Sequence, residues 1–395
     1  MKKKAILALV LSLAMLTAVL AACGEGGSGG SGGTPTVSIG VFQPATGDNG
    51  AGGRQEVLGT QYAHYLHPTV TIGGVEHEVI LEIVDNQSST AHGPAAAAEL
   101  VARGVDIILG SYGSAVSMAS SDVFLDAGLT AIGVSCTNPG VTRGNDHYFR
   151  ICFLDPFQGQ ILASLAKQTL NAQTAFVLAL AGDDYSMGLA NYFIEAFEGQ
   201  GGNVHFETFP EGTSDFSAFM TNASNVGADV IFSPTSVASA VLIVDAANIQ
   251  NVGIPVLAGD TWDNAAVLAA AEGGNVDVYI TTFYQEGGAP DFDAGIKEWI
   301  RNDSVNLENN GGNDMVAGVT AMGFDAYMVV LDILERAGSL DQDAIRQATV
   351  ATSFNGPVAG LIKFDSDGNA ARDTAFVKKA NTSTGQWEFY AQQRL

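Results

Sequence analysis

Basic residues are scarce in this chain: 17 Lys and Arg stand against 42 Asp and Glu, a formal net charge of −25 at pH 7. A surface this acidic repels phosphate backbones and anionic headgroups, which argues against nucleic acid and against adhesion to a charged membrane surface. It also leaves no basic patch, so a small anionic ligand would have to rest on backbone N–H and hydroxyl groups. Cysteine is nearly absent, 3 in the whole chain, too few for a disulfide-built scaffold. Of the 6 histidines, only His64 and His67 share a helix face, and no matching Cys or carboxylate set makes them a metal site. Beyond the N-terminal stretch no apolar run is long enough to span a bilayer.

Catalytic patterns are missing as well. A nucleophilic serine in a G-x-S-x-G elbow is the mark of an α/β hydrolase, the competing enzyme class on a similar scaffold. Ser114 has Tyr112 two places before it and Val116 two places after, where the elbow needs glycines; Ser135 and Ser111 each match on one side only, through Gly133 and Gly113. No G-x-x-x-x-G-K phosphate loop occurs. The expectation is therefore no turnover, no catalytic residue, no cofactor and no metal.

What is present begins with Met1 to Cys23. Lys2 to Lys4 form a basic start, Ala5 to Leu20 an apolar stretch too short to span a membrane, and Leu20-Ala21-Ala22-Cys23 a small-residue cleavage site. A Cys in that place resembles the lipobox of bacterial lipoproteins, which implies a signal peptide over 1–22 and lipidation of Cys23. Gly24 to Gly33 is then a flexible tether, the 23–35 stretch linking lipid to folded protein.

From Thr36 the chain alternates strand and helix. Val37 to Val41, Val79 to Asp85, Val105 to Leu109 and Thr130 to Val134 read as strands, with helices over Arg54 to Leu66, Pro94 to Ala102 and Ala115 to Leu125. A second series starts after Asp155 and runs through strands Ala175 to Leu180, Val204 to Phe209, Asp229 to Phe232 and Pro255 to Ala258, each followed by a helical run. Short apolar segments bounded by Gly, Pro and Ser are strands buried on both faces. The alternation is the sequence form of a doubly wound α/β fold, seen twice. Strands near Leu361 to Phe364, Ala375 to Lys379 and Trp387 to Tyr390 look like added sheet. The turn Asp365-Ser366-Asp367-Gly368-Asn369 lacks the other ligands of a calcium loop and reads as a hairpin turn.

Two loops stand out at strand ends, Gly110-Ser111-Tyr112-Gly113-Ser114 and Ser135-Cys136-Thr137-Asn138-Pro139-Gly140. In an open parallel sheet the carboxyl edge is where small ligands bind. Ser114 reads as the N-cap of the next helix, whose unpaired N–H groups accept a carboxylate or phosphate without Lys or Arg. Thr137 supplies a second donor set one strand away.

These loops, with Thr142-Arg143-Gly144, Phe149-Arg150 and Asp155-Pro156-Phe157-Gln158-Gly159, resemble the core signature of the type I periplasmic binding proteins, in the branch serving branched-chain amino acid ABC transporters. The resemblance runs from about Pro35 to the C-terminus. It implies two doubly wound parallel-sheet domains joined by a three-segment hinge, 36–154 plus 284–360 and 155–283 plus 361–395, with crossings near Asp155, Thr281 to Tyr284 and Gly360 to Phe364. It implies a monomeric, membrane-anchored receptor outside the cytoplasm that closes on a small amino acid, branched-chain or similar, and delivers it to an ABC permease. A ligand sensor presenting its closed form to a membrane receptor would use the same site.

Carried over residue by residue, the resemblance places the ligand carboxylate on Ser114 and Thr137 and the ligand ammonium on the Ser135 carbonyl and Asp260, with Tyr185 covering the ligand. The reading of the residues alone leaves Asp260 as a helix cap and Tyr185 as a staple of its own helix. One departure concerns the loop after the first strand, where Gly47 to Gly53 offers no aromatic wall; Trp262, Phe283 and Tyr284 are candidates to line the side-chain pocket instead. Cys136 and Cys152 flank the Asn138 to Arg150 loop, and two buried thiols are favoured over a bridge.

Overall fold

The computed structural model describes residues 33–358 and 360–394. The leader and Cys23 lie outside the described residues, so the lipid-anchor expectation is not addressed by the fold. No helix among the described residues is long and apolar enough to cross a membrane.

The first sheet holds β1 (Thr36–Gln43), β2 (Thr69–Ile72), β3 (Val75–Asp85), β4 (Ile107–Gly110), β5 (Ala131–Gly133) and β6 (Tyr148–Arg150), in the order β2-β3-β1-β4-β5-β6. All pairs are parallel except β2 with β3. Helices α1 (Gly50–Leu66), α2 (Gly93–Arg103) and α3 (Ser114–Asp126) make the crossovers. Ile107, Ile108 and Leu109 of β4 are fully buried, each contributing about 1.5–3 kcal/mol of hydrophobic free energy. Such two-sided burial is why these strands read as unbroken apolar runs.

Helix α4 (Asp155–Ser164), extended by a π-turn over Leu165–Thr169, leads into the second sheet. There β7 (Thr174–Leu180), β8 (Asn203–Phe209), β9 (Val230–Phe232), β10 (Val256–Ala258) and β11 (Val278–Thr282) run parallel, with α5 (Asp184–Gly199), α6 (Ser217–Asn225), α7 (Val237–Ile249) and α8 (Ala265–Ala271) between them. The chain then forms α9 (Pro290–Arg301), α10 (Ser304–Asn309), α11 (Gly318–Ala337) and α12 (Gln342–Val350). In α11, Gly323 lies so close to α1 that a Cβ there would stand 2.2 Å from the Glu56 carbonyl oxygen.

The end of the chain departs from expectation. Strand β12 (Ser353–Gly356) pairs only with β13 (Gly360–Lys363), a separate two-stranded unit and not an addition to either large sheet. The next residues stay beside the first sheet, because Phe364 packs on Phe149 with ring centroids 5.2 Å apart and the buried Arg150 guanidinium donates from Nε to Asn369 Oδ1 at 2.7 Å. Only with β14 (Thr374–Asn381) does the chain join the second sheet, antiparallel to β11, and β15 (Gln386–Arg394) closes that edge. In the intervening turn the Asp365 carboxylate accepts from the N–H groups of Asp367 and Asn369, each at 2.9 Å. Cys136 and Cys152 are free, buried thiols.

Candidate functional site

Loops at the carboxyl ends of β1, β3, β4 and β5 in the first sheet and of β7, β8, β9 and β10 in the second enclose a cleft of about 450 Å³. On the first side the central loop follows β4. Helix α3 begins at Ser114 with Gly113 as its N-cap, so Ser114 is the first helical residue and not the cap. Its hydroxyl accepts from the Asn138 N–H at 3.2 Å, tying the β4 loop to the β5 loop. Ser114, Ala115 and Val116 line the cleft with the first turn of α3, whose opening N–H groups have no partner inside the helix.

Behind these loops lies a buried relay that sequence reading did not find. The Tyr112 N–H donates to Gln43 Oε1 at 2.7 Å, Gln43 Nε2 donates to Glu56 Oε1, and Glu56 Oε2 shares a hydrogen bond with Ser135 Oγ. Burial pushes the Glu56 carboxyl up to about 8, so it is mainly the neutral acid at pH 7. The β5 loop is held from below by Arg150, which donates to the carbonyls of Cys136, at 2.9 Å, and Asn138.

The facing wall belongs to the second sheet. Asp260 opens a 3₁₀ turn, Asp260–Trp262, just after β10. The Tyr185 hydroxyl donates to Asp260 Oδ1 at 3.2 Å, and Gln158 Nε2 donates to the same atom at 2.9 Å. Burial raises the Asp260 carboxyl to about 6, against the lowering effect of Gln158. Gly259 makes the approach of Tyr185 possible, since a Cβ there would stand 2.4 Å from the tyrosine oxygen. The helix α8 is capped by Asn264, whose side chain accepts from Ala266 N–H, which leaves the Asp260 carboxylate to Gln158 and Tyr185.

Of the residues singled out in the sequence, Ser114, Ser135 and Tyr185 line the cleft. Thr137 and Asp260 lie one layer behind, 0% and 2% exposed. The Thr137 hydroxyl makes no hydrogen bond of good geometry among the described residues, nor do the two carboxyl oxygens of Asp155; Asp155 is itself fully buried and is pushed by that burial to about 8. Trp262 is not in the lining. Side chains two apart in a 3₁₀ turn point in different directions, and the Trp262 indole enters the core of the second sheet, donating to the Thr235 carbonyl at 3.2 Å. Phe283 packs on Phe153 at 4.4 Å and the Tyr284 hydroxyl donates to Asp293 Oδ1 at 2.7 Å, so neither reaches the cleft. The aromatic wall comes from Tyr112. Its ring occupies the space over Gly52, where a Cβ would meet Tyr112 Cζ at 2.4 Å, and its hydroxyl crosses to donate to the Thr261 carbonyl at 3.1 Å. A glycine-rich loop after β1 was the available signal, read in the sequence as a gap.

Chemically, the cleft offers hydroxyl and N–H donors on one side and a tyrosine backed by a buried carboxylate on the other. Among the described residues no group of three or more His, Cys, Asp or Glu is placed to hold a metal ion.

Residues 36–385 match the family model described as periplasmic binding protein. A Leu/Ile/Val-binding protein homolog from Brucella melitensis is 30% identical over 200 residues, 50% of this chain and 53% of that protein; the match thus spans about half the length of that relative. A second Leu/Ile/Val-binding protein homolog, from Brucella abortus, is 26% identical over 84% of this chain and 87% of its own length. Among solved structures, the leucine binding protein LivK of Thermotoga maritima is 33% identical with a TM-score of 0.79, covering 91% of this chain and 99% of that one. The branched-chain amino acid transporter substrate-binding protein LivJ of Streptococcus pneumoniae, solved with isoleucine, is 25% identical with a TM-score of 0.78 over the same shares of the two chains. With the two parallel sheets and the cleft at their strand ends, these matches place the chain in the periplasmic binding protein family.

Proposed function

We propose that the protein is the extracytoplasmic substrate-binding component of an ABC importer, a monomeric receptor that captures an α-amino acid and delivers it to a membrane permease. The observation that carries this reading is the facing of Ser114 and Ser135, at the mouth of α3, and Tyr185 across one cleft, with Asp260 hydrogen-bonded directly behind Tyr185. A helix N-terminus attracts a carboxylate and a buried carboxylate attracts an ammonium, so the two walls together are complementary to a zwitterion. The ligand carboxylate rests on Ser114 and on the N–H groups of α3, with Thr137 one layer behind them; the ammonium rests on Asp260 and the Ser135 carbonyl.

The halves that close are 36–154 with 284–360 and 155–283 with 361–395, the span Gly360 to Ala370 remaining against the first. Contacts already cross the cleft, Asn138 Nδ2 to the Asp184 carbonyl at 2.7 Å among them, as a closed receptor requires. The leader, with Cys23 as lipid anchor, fits a receptor held at the outer face of a membrane. Purified protein titrated calorimetrically with amino acids tests the reading: one should bind with unit stoichiometry and be recovered unchanged. No binding by any amino acid, or a chemically altered product, would overturn it.

A further inference from the structure

Away from the ends that hold carboxylate and ammonium, the cleft is walled by Asp48, Gln87, Ser89, Thr90, Asp183 and Glu211. Among the described residues, Leu180 and Val116 are the aliphatic lining side chains larger than a methyl, beside the rings of Tyr112 and Tyr185, and no Lys, Arg or His belongs to the lining. A branched hydrocarbon laid against such a wall covers amides, hydroxyls and carboxylates, of which Asp48, Gln87, Thr90 and Glu211 are exposed to water, and returns no hydrogen bond. An unpaired polar group costs more than an apolar contact of similar size gains.

The closed geometry adds a second argument. Asp48 comes from the loop after β1, whereas Asp183 and Glu211 come from the loops after β7 and β8. In this arrangement the Asp48 carbonyl accepts from the Ala238 N–H at 3.2 Å, so the two sides are already in contact. The Asp183 carboxyl caps α5, accepting from the Ser186 N–H at 2.7 Å. Burial raises it above its ordinary range, and the nearby carboxylates of Asp184 and Asp48 add to that. Closure therefore brings like charges together unless the ligand places donors between them. Tyr112 shuts the alternative direction, because its ring fills the space over Gly52 and its hydroxyl is committed to Thr261.

We infer that the ligand is an α-amino acid whose side chain ends in hydrogen-bond donors, a cationic or amide-tipped chain, and not a branched aliphatic one. This rests on the amino-acid receptor reading above and narrows it to a substrate class. It also sets this cleft apart from that of a relative solved with isoleucine.

The test is calorimetric titration of the tether-plus-folded chain with L-lysine, L-arginine, L-glutamine, L-leucine, L-isoleucine and L-valine at low salt. At least one of the first three should bind at least about tenfold tighter than any of the last three, about 1.4 kcal/mol. Leucine, isoleucine or valine binding tightest would overturn the inference and leave the receptor reading intact. No heat from any of the six, with circular dichroism showing folded protein, would overturn both. Asp48→Asn combined with Glu211→Gln, two exposed positions, then separates the two side-chain types. It should weaken lysine or arginine about tenfold and leave glutamine and leucine within about twofold.

Discussion

The side-chain amide of Gln158 grips Asp260 twice, donating from Nε2 to Oδ1 at 2.9 Å and accepting at Oε1 from the Asp260 backbone N–H at 2.8 Å. Thr281 donates to the same Oε1 at 2.6 Å. Gln158 belongs to α4 and Thr281 to β11, the elements at two of the three expected crossings. The carboxylate proposed to meet the ligand ammonium is thereby fixed to the hinge itself, and a change in hinge angle moves it relative to α3.

Removing that carboxylate leaves an enclosed ammonium without a partner. Asp260→Ala should cost about 3–5 kcal/mol of binding, on the order of a hundredfold to several thousandfold. Ser114→Ala keeps the helix N–H groups and should cost only about 1–2 kcal/mol. Calorimetry that placed Asp260→Ala within about threefold of the unaltered protein, with the variant folded, would remove Asp260 from the site.

Affinity should fall in acid. Burial raises the Asp260 carboxyl to about 6 in the free protein, and an ammonium ligand binds its ionised form, so the complex holds the pKa lower. Below pH 6 the free protein must give up a proton to bind, and the dissociation constant should rise about tenfold from pH 7.5 to pH 5. A flat profile over that range would mean that no buried carboxylate of this pKa meets the ligand.

Much of the architecture was legible because β4, β7 and their neighbours are buried on both faces, which leaves an apolar run between turn residues as the mark of each strand. The stretch from α9 to α12 was not. Helix α11 is buried from Gly318 to Tyr327 without a break, so it shows no amphipathic period, and the short α10 buries nothing. In the site, Ser114, Tyr185 and Asp260 stand in local motifs, whereas Glu56 meets Ser135 across 79 positions and Gln158 meets Asp260 across 102. No local pattern announces such pairs. Trp262 was drawn into the site by its neighbour Asp260, and the turn they share sends its ring the other way.

The buried pair Lys378–Asp263 should matter more for stability than for binding. Lys378 Nζ lies 2.9 Å from Asp263 Oδ2, with side chains 3% and 0% exposed, and the same oxygen accepts from Thr282 Oγ1 at 2.6 Å and from the Gly318 N–H at 2.8 Å. One carboxylate thus joins β14, β11 and the start of α11. Lys378→Met leaves it underpaired and should destabilise by about 3–5 kcal/mol, with Asp263→Asn added to the same chain recovering a large part of the loss. Urea unfolding of the single and double variants measures this; a single variant within about 0.5 kcal/mol of the parent would show that the pair holds little.

Glu56 allows a test in which charge and shape separate. Its carboxyl sits at about 8 in the fold against about 4.3 in an unfolded chain, so the folded state holds the extra proton between those values. Stability from this group is complete below about pH 4 and is lost as pH rises toward 8. In the fold Gln43 Nε2 donates to one carboxyl oxygen and Ser135 Oγ to the other; with the acid protonated, the serine hydroxyl turns to accept. Glutamine reproduces that pattern, with an amide N–H in place of the acid O–H and no proton to lose. Glu56→Gln should therefore keep ligand affinity within about threefold and make stability less dependent on pH between 6 and 9. Glu56→Ala opens a void beneath both ligand loops and strands Gln43 and Ser135, which should cost about 2–4 kcal/mol of stability at any pH. Urea unfolding at pH 6 and pH 9 distinguishes the two variants. If Glu56→Gln were as damaging as Glu56→Ala at both values, the neutral-acid relay beneath Ser135 would be wrong, and Glu56 would have to act as a buried charge.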